Sequence, residues 1–167
     1  GLALQIIALF ALTLLDPAWS VAASVVFVMA VQGLSGVAKD LASSGNMLFV
    51  ADASGLLLVL DISKPSDPEL LGQLAIDSEI KSLAVEKNFV YLGAGWSGVH
   101  IVDVENPRSP LLVNSFKTDG YVRDVTVADG RALIANGERG LKVVNVRDPM
   151  RPTDQGSLPV PGWSSGG

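Results

Sequence analysis

The sequence of 167 residues has no cysteine and a single histidine, His100. The absence of cysteine excludes disulfide bonds, thiol catalysis and cysteine-ligated zinc. Charged residues make up only 17% of the chain, and the formal net charge is −5. Because a negative field repels phosphate backbones and anionic lipid head groups, we expect no nucleic-acid partner. The apolar fraction of 49% indicates an ordered chain that is long enough to bury a sizeable core.

Basic residues are absent before Lys39, and Asp16 is the only charged residue in that stretch. Residues 2–15 form an uncharged, mostly apolar run, which is typical of a signal peptide and shorter than the roughly 20 residues of a transmembrane helix. Small residues that suit a cleavage site follow at Ala18, Ser20, Ala22 and Ala23. We therefore predict a signal-peptide-like or membrane-anchor segment at residues 1–24.

An alternative joins residues 2–15 to residues 18–31 as one long membrane anchor or two short ones. Both interpretations predict that the rest of the chain is extracytoplasmic and contacts a membrane only through this segment. The sequence opens on Gly1 with no basic residues before the apolar run, so we expect it to be part of a longer reading frame.

Six of the nine prolines fall into two columns with a spacing of 42 residues: Pro65, Pro107 and Pro149, then Pro68, Pro110 and Pro152. The same offset aligns Asp61, Asp103 and Asn145 without any insertion. Each unit contains four short β-like segments separated by turn residues, which is typical of a four-stranded propeller blade. The sequence therefore predicts an all-β protein, a β-propeller of four-stranded antiparallel blades that is incomplete in this chain.

The predicted propeller occupies residues 25–163 with about three blades, and residues 164–167 begin the next blade or a linker. The predicted strands are 37–43, 48–52, 57–62 and 69–76, then 80–86, 89–93, 99–104 and 111–118, then 122–128, 132–136, 141–146 and 153–160. The third strand of each unit is apolar on successive residues. This pattern predicts a strand that neighbouring blades cover on both faces.

The third strands read Leu58-Val59-Leu60-Asp61, His100-Ile101-Val102-Asp103 and Lys142-Val143-Val144-Asn145, and each is followed by a Pro-x-x-Pro turn. Over residues 34–163 this pattern resembles the LVIVD-repeat family of bacterial and archaeal proteins. The resemblance implies a β-propeller, typically in an exported or surface-associated protein, with no shared catalytic motif. Asn145 departs from the Asp of the pattern, so a charge is not required there.

Most of the candidate chemical groups have structural explanations. The side chains of Asp61, Asp103 and Asn145 are expected to accept hydrogen bonds from the backbone of the following turn, so we predict no metal site there. His100 aligns with Leu58 and Lys142, and we assign it no catalytic or metal-binding role. The string from Gly93 to Gly98 matches a phosphate-loop pattern but connects two strands and precedes no helix.

One column contains acidic residues of the kind found in metal-dependent active sites. Asp40, Ser82 and Asp124 lie at the start of the first strands, which in a propeller line the central channel, and acidic groups there are able to bind a cation. A hydrogen-bonding role at the start of a strand explains the column equally well. The neighbouring column contains Lys39, Lys81 and Arg123, and acids and bases that alternate on adjacent blades more often form salt-linked rings.

The connections at one rim vary most between the repeats and are rich in glycine. We predict a ligand- or partner-binding surface there, composed of Trp96, Tyr121, Arg123, Glu138, Arg139 and Trp163. In the alternative, Trp96 and Tyr121 only pack between blades. Repeated identical pockets are not expected, because the positions equivalent to Trp96 are Ser54 and Glu138.

These observations predict an extracytoplasmic or cell-surface propeller module that acts as a scaffold for another protein or an extracellular ligand. We expect no cofactor and no catalytic residue. Two alternatives remain at this point: a propeller hydrolase with a cation at the channel mouth, and a periplasmic carbohydrate- or peptide-binding module.

Overall fold

The computed structural model describes residues 38–64 and 66–160. The described residues form twelve strands in three four-stranded antiparallel sheets. The first sheet contains β1 (Ala38–Ser44), β2 (Met47–Asp52), β3 (Leu56–Asp61) and β4 (Glu69–Ala75). The second contains β5 (Ser82–Glu86), β6 (Phe89–Gly93), β7 (Val99–Asp103) and β8 (Leu111–Phe116). The third contains β9 (Asp124–Ala128), β10 (Arg131–Ala135), β11 (Leu141–Asn145) and β12 (Thr153–Leu158).

Each sheet keeps its strands in chain order and forms one blade, so the predicted all-β fold with four-stranded antiparallel blades is confirmed. The predicted segment at residues 1–24, the predicted end at residues 164–167 and the rim residue Trp163 lie outside the described residues. Within the described ranges, no helix combines the length and apolar composition needed to cross a bilayer.

The first strand of the third blade is shorter than the sequence predicted. It begins at Asp124 rather than at Val122, just as the first strand of the second blade begins at Ser82 rather than at Ile80. The backbone N–H of Val122 donates instead to the carbonyl of Gly95 in the preceding blade at 3.1 Å. This isolated bridge joins the loop after β6 to the entry into the third blade. It therefore fixes the rim at the junction of the second and third blades.

The aligned Asp and Asn residues accept hydrogen bonds in the turns that follow the third strands, as the sequence predicts. Their Oδ1 atoms receive backbone N–H donors two residues ahead: Ser63 to Asp61 at 2.7 Å, Glu105 to Asp103 at 2.8 Å and Arg147 to Asn145 at 3.0 Å. An amide oxygen accepts this bond as a carboxylate does, which explains why Asn fits the column.

The third strands are largely buried in the first two blades. Leu57 to Leu60 in β3 have no exposed surface, and neither do Val99, Ile101 and Val102 in β7. One apolar cluster fills the space between the first and second blades, and another fills the space between the second and third. The successive apolar residues of the sequence are therefore explained by burial on both faces of the sheet.

Hydrogen bonds link the innermost strands of adjacent blades. Oδ2 of Asp40 in β1 accepts the backbone N–H of Leu83 in β5 at 2.8 Å. Oγ of Ser82 in β5 accepts the backbone N–H of Val125 in β9 at 3.1 Å. In both cases the acceptor precedes the donor by 43 residues, so this column fixes the register of each blade against the next.

The third blade presents a face that no described blade covers. Leu133 in β10 is 36% exposed, whereas the equivalent Phe49 and Tyr91 are 3% and 1% exposed. A Cβ added to Gly72 in the first blade would lie 2.3 Å from the carbonyl oxygen of Pro107 in the second. The equivalent Gly156 has open space around it, so the three sheets form an unclosed part of a propeller.

Candidate functional site

The predicted rim residues Trp96 and Tyr121 meet at the junction of the second and third blades. Their ring centroids are 5.3 Å apart and the rings are inclined by 79°, an edge-to-face contact. Trp96 is 74% exposed, and Tyr121 is half-buried. Trp96 is therefore displayed at the rim and is not part of the core between the blades.

The loop that bears Trp96 is a tight turn held by backbone hydrogen bonds within the loop and to the entry of the third blade. The N–H of Ala94 donates to the carbonyl of Gly98 at 2.9 Å, and the N–H of Val122 donates to the carbonyl of Gly95 at 3.1 Å. Gly95 has a φ of +56°, and a Cβ there would lie 2.9 Å from Cε2 of Tyr121. The tyrosine ring thus packs directly on this glycine, which holds the aromatic pair in place.

Two cations flank the tyrosine ring. The guanidinium carbon of Arg123 lies 5.7 Å from the ring centroid of Tyr121, and Nζ of Lys81 lies 6.0 Å from it, both within the range of a cation–π interaction. Lys81 also forms an ion pair with Glu79 at 2.6 Å. The hydrogen bond from Lys81 lowers the pKa of the Glu79 carboxyl, and the same bond is the largest cause that raises the pKa of Lys81.

Glu138 and Arg139 lie in the adjacent connection, in a single turn of 3-10 helix over Gly137–Arg139, and both are exposed. A Cβ added to Gly120 would lie 2.9 Å from Cγ of Arg139, so the stem of Arg139 passes over the residue before Tyr121. The structure therefore brings Trp96 and Arg123 together around Tyr121, with Glu138 and Arg139 in the neighbouring turn.

A polar network supports this neighbouring turn. Nδ2 of the buried Asn136 donates to Oδ1 of Asp119 at 2.8 Å, and Lys142 forms ion pairs with Asp119 and Asp154. A backbone hydrogen bond and then the Asn136 amide lower the pKa of Asp119. Sequence reasoning missed this network and the place of Lys81 beside Tyr121, although the basic column that includes Lys81 was visible.

The only histidine makes two hydrogen bonds that the sequence did not indicate. Nε2 of His100 lies 2.9 Å from Oγ of Ser78, and Nδ1 lies 2.7 Å from Oγ of Ser115. Among the described residues no carboxylate hydrogen-bonds to the ring, so this arrangement lacks the acid of a Ser-His-Asp triad. Serine hydroxyls both donate and accept hydrogen bonds, so together they satisfy a neutral imidazole.

Burial lowers the pKa of His100 below its ordinary value of 6.5. The unfolded chain therefore takes up this proton at a higher pH than the folded protein, and stability falls as the pH drops below about 6.5 until the folded-state pKa is passed. We expect His100→Gln to remove this pH-dependent loss of stability. Urea midpoints of both proteins at about pH 5 and 7.5 test this, and an equal pH dependence in the two proteins would contradict it.

The acidic column at the channel is occupied by structural bonds. Asp40 accepts the backbone N–H of Leu41 through Oδ1 and that of Leu83 through Oδ2, and Ser82 bonds to Val125. Within residues 38–64 and 66–160, no three His, Asp or Glu side chains lie close enough together to hold a metal ion. Oδ1 of Asp124 also accepts the backbone N–H of Val125 at 2.9 Å, so each residue of the column has a hydrogen-bonding role at the start of a strand.

Solved structures share this arrangement of blades. The chain is similar to the computationally designed Ika4 protein, with a TM-score of 0.58 and 17% identity over 74% of this chain and 75% of Ika4. It is also similar to the Cps50 (Swd1) β-propeller domain of Myceliophteria thermophila, with a TM-score of 0.59 and 14% identity over 80% of this chain. The chain spans 42% of the length of that domain. At these identities the similarity shows the fold, and the class of protein is a β-propeller repeat module.

The family model described as the LVIVD repeat matches three successive segments, residues 35–75, 79–118 and 119–158. The chain therefore belongs to the LVIVD-repeat family, and the resemblance noted in the sequence is confirmed. No curated protein matches the chain.

Proposed function

We propose that this propeller module is an extracytoplasmic scaffold that binds another protein through one rim. The observation that carries the proposal is the exposed Trp96, which makes an edge-to-face contact with Tyr121 at the junction of two blades. We define the rim surface as Trp96, Tyr121, Arg123, Glu138 and Arg139. The proposed location outside the cytoplasm rests on the apolar segment at residues 2–15.

The rim surface has the composition and support that protein-binding sites favour. Tryptophan, tyrosine and arginine are the residues that most often contribute large binding energies at interfaces. Their backbone is held by the bridge between Gly95 and Val122, so little conformational entropy is lost on binding. A large side chain that is 74% exposed on such a rigid loop contributes little to folding and is available to a partner.

We expect Trp96→Ala to weaken peptide binding by about 2 kcal/mol, the effect of removing an aromatic anchor. The test selects a random peptide display library on the immobilised chain and measures the affinities of the enriched peptides for the wild type and for Trp96→Ala. Arg139→Ala, in the neighbouring turn, is expected to act in the same direction. If the enriched peptides bind all three proteins equally, the rim surface is not the binding site and the proposal fails.

A further inference from the structure

Arg123 is a cation without an acidic partner, and it lies beside the exposed tryptophan. Its guanidinium is over the ring of Tyr121, and none of the salt bridges among the described residues includes it. Glu79 pairs with Lys81, the other cation at this ring. Arg123 and Lys81 carry two positive charges and Glu79 carries one negative charge, so one positive charge remains beside the ring of Tyr121.

We infer that the rim surface binds an acidic peptide segment, an inference that rests on the proposed function. A carboxylate of the segment pairs with Arg123, and a neighbouring apolar side chain packs on the indole of Trp96. A guanidinium that lies over an aromatic ring keeps its N–H groups at the edge of its plane, where a carboxylate binds with two parallel hydrogen bonds. The contact with Tyr121 leaves most of the Trp96 side chain in solvent.

The net charge of −5 does not oppose this binding strongly. Exposed charges separated by more than about 8 Å are largely screened at physiological ionic strength. The contact between a carboxylate and Arg123 is shorter than that distance, so local charge decides the preference. The same argument predicts that added salt weakens binding.

The site occurs once in the described blades. At the junction of the first and second blades, Ser54 stands at the position of Trp96 and Glu79 at the position of Tyr121. Neither residue is aromatic, and Glu79 is acidic. We therefore expect one acidic segment to bind per chain, at the junction of the second and third blades.

The experiment continues with the peptides that the display library yields. Peptides that depend on Trp96 are synthesised in two forms, with their acidic residues intact and with each Asp or Glu replaced by Asn or Gln. Both forms are titrated by calorimetry against the wild type, Arg123→Gln and the control Arg151→Gln. Arg151 is exposed and lies in the connection before β12, at the opposite end of the blades from the connection that bears Trp96. Arg151→Gln therefore changes the net charge by the same amount as Arg123→Gln, but away from the rim surface.

We expect the enriched peptides to be acidic, to bind with a stoichiometry of one, and to bind the wild type at least tenfold more tightly than their amide forms. Arg123→Gln should abolish that difference, whereas Arg151→Gln should preserve it, because a direct pair shows coupling between its two partners. Peptides that depend on Trp96 but are neutral or basic, or that bind Arg123→Gln as tightly as the wild type, would overturn the inference and leave the scaffold standing. If the library yields no peptide whose binding depends on Trp96, the result would instead contradict the proposed function itself.

Discussion

Val102→Ala is expected to lower the free energy of unfolding by about 2–3 kcal/mol, because it removes two buried methyl groups and leaves a cavity. Val102 has no exposed surface and belongs to the cluster between the first and second blades. Urea denaturation at one fixed protein concentration measures the loss.

Trp96→Ala is the matched comparison for this experiment, since Trp96 is 74% exposed and its described aromatic contact is with Tyr121 alone. We expect its effect on stability to remain within about 0.5 kcal/mol, the usual range for a surface substitution. Stability and peptide binding would then depend on different residues. If Trp96→Ala destabilised the chain as much as Val102→Ala, the tryptophan would be a packing residue and the rim surface would lose its main anchor.

The 167-residue chain is expected to self-associate, because the third blade exposes a face that is buried in the first two. Leu133 is 36% exposed on that face, and Leu158 near its edge is 63% exposed. Apolar surface of this kind favours association with any complementary sheet. Light scattering should give a mass above that of one chain, and the mass should rise with concentration.

Leu133→Asp should shift the chain toward the monomer, because a carboxylate at the centre of this face would lose its hydration in any association. Leu111→Asp is the control. Leu111 is 62% exposed at the start of β8 in the second blade, so this substitution adds the same charge away from the open face. A wild-type chain that stays monomeric, or equal effects of the two substitutions, would show that the open face does not drive association.

The candidate site was predictable from sequence only in part. Trp96 and Tyr121 were identified as rim residues because they occur on variable, glycine-rich connections, but their edge-to-face contact joins residues of two different repeats. The ion pair of Lys81 with Glu79 joins two residues of one connection, but the position of Lys81 over Tyr121 depends on how the second and third blades dock. No local pattern encodes that docking.

The hydrogen-bond partners of His100 are the clearest feature that the repeat pattern did not indicate. Its position is occupied by Leu58 and Lys142 in the other repeats, so the repeat pattern predicts no specific role for it. The structure places it between Ser78 and Ser115, which lie 22 and 15 residues away in the chain. Hydrogen bonds of this kind depend on side-chain placement across strands and connections.

The sequence by itself determined the repeat of 42 residues, the four strands of each blade and the Asx turns after the third strands. These features depend on short-range periodicity and turn chemistry, which recur without an insertion. Only the tertiary structure decided the role of the column of Asp40 and Ser82, whose bonds reach backbone groups 43 residues ahead, and the grouping of two cations around Tyr121. Both depend on the distance and register between sheets, which are set by packing of the buried faces and not by any segment alone.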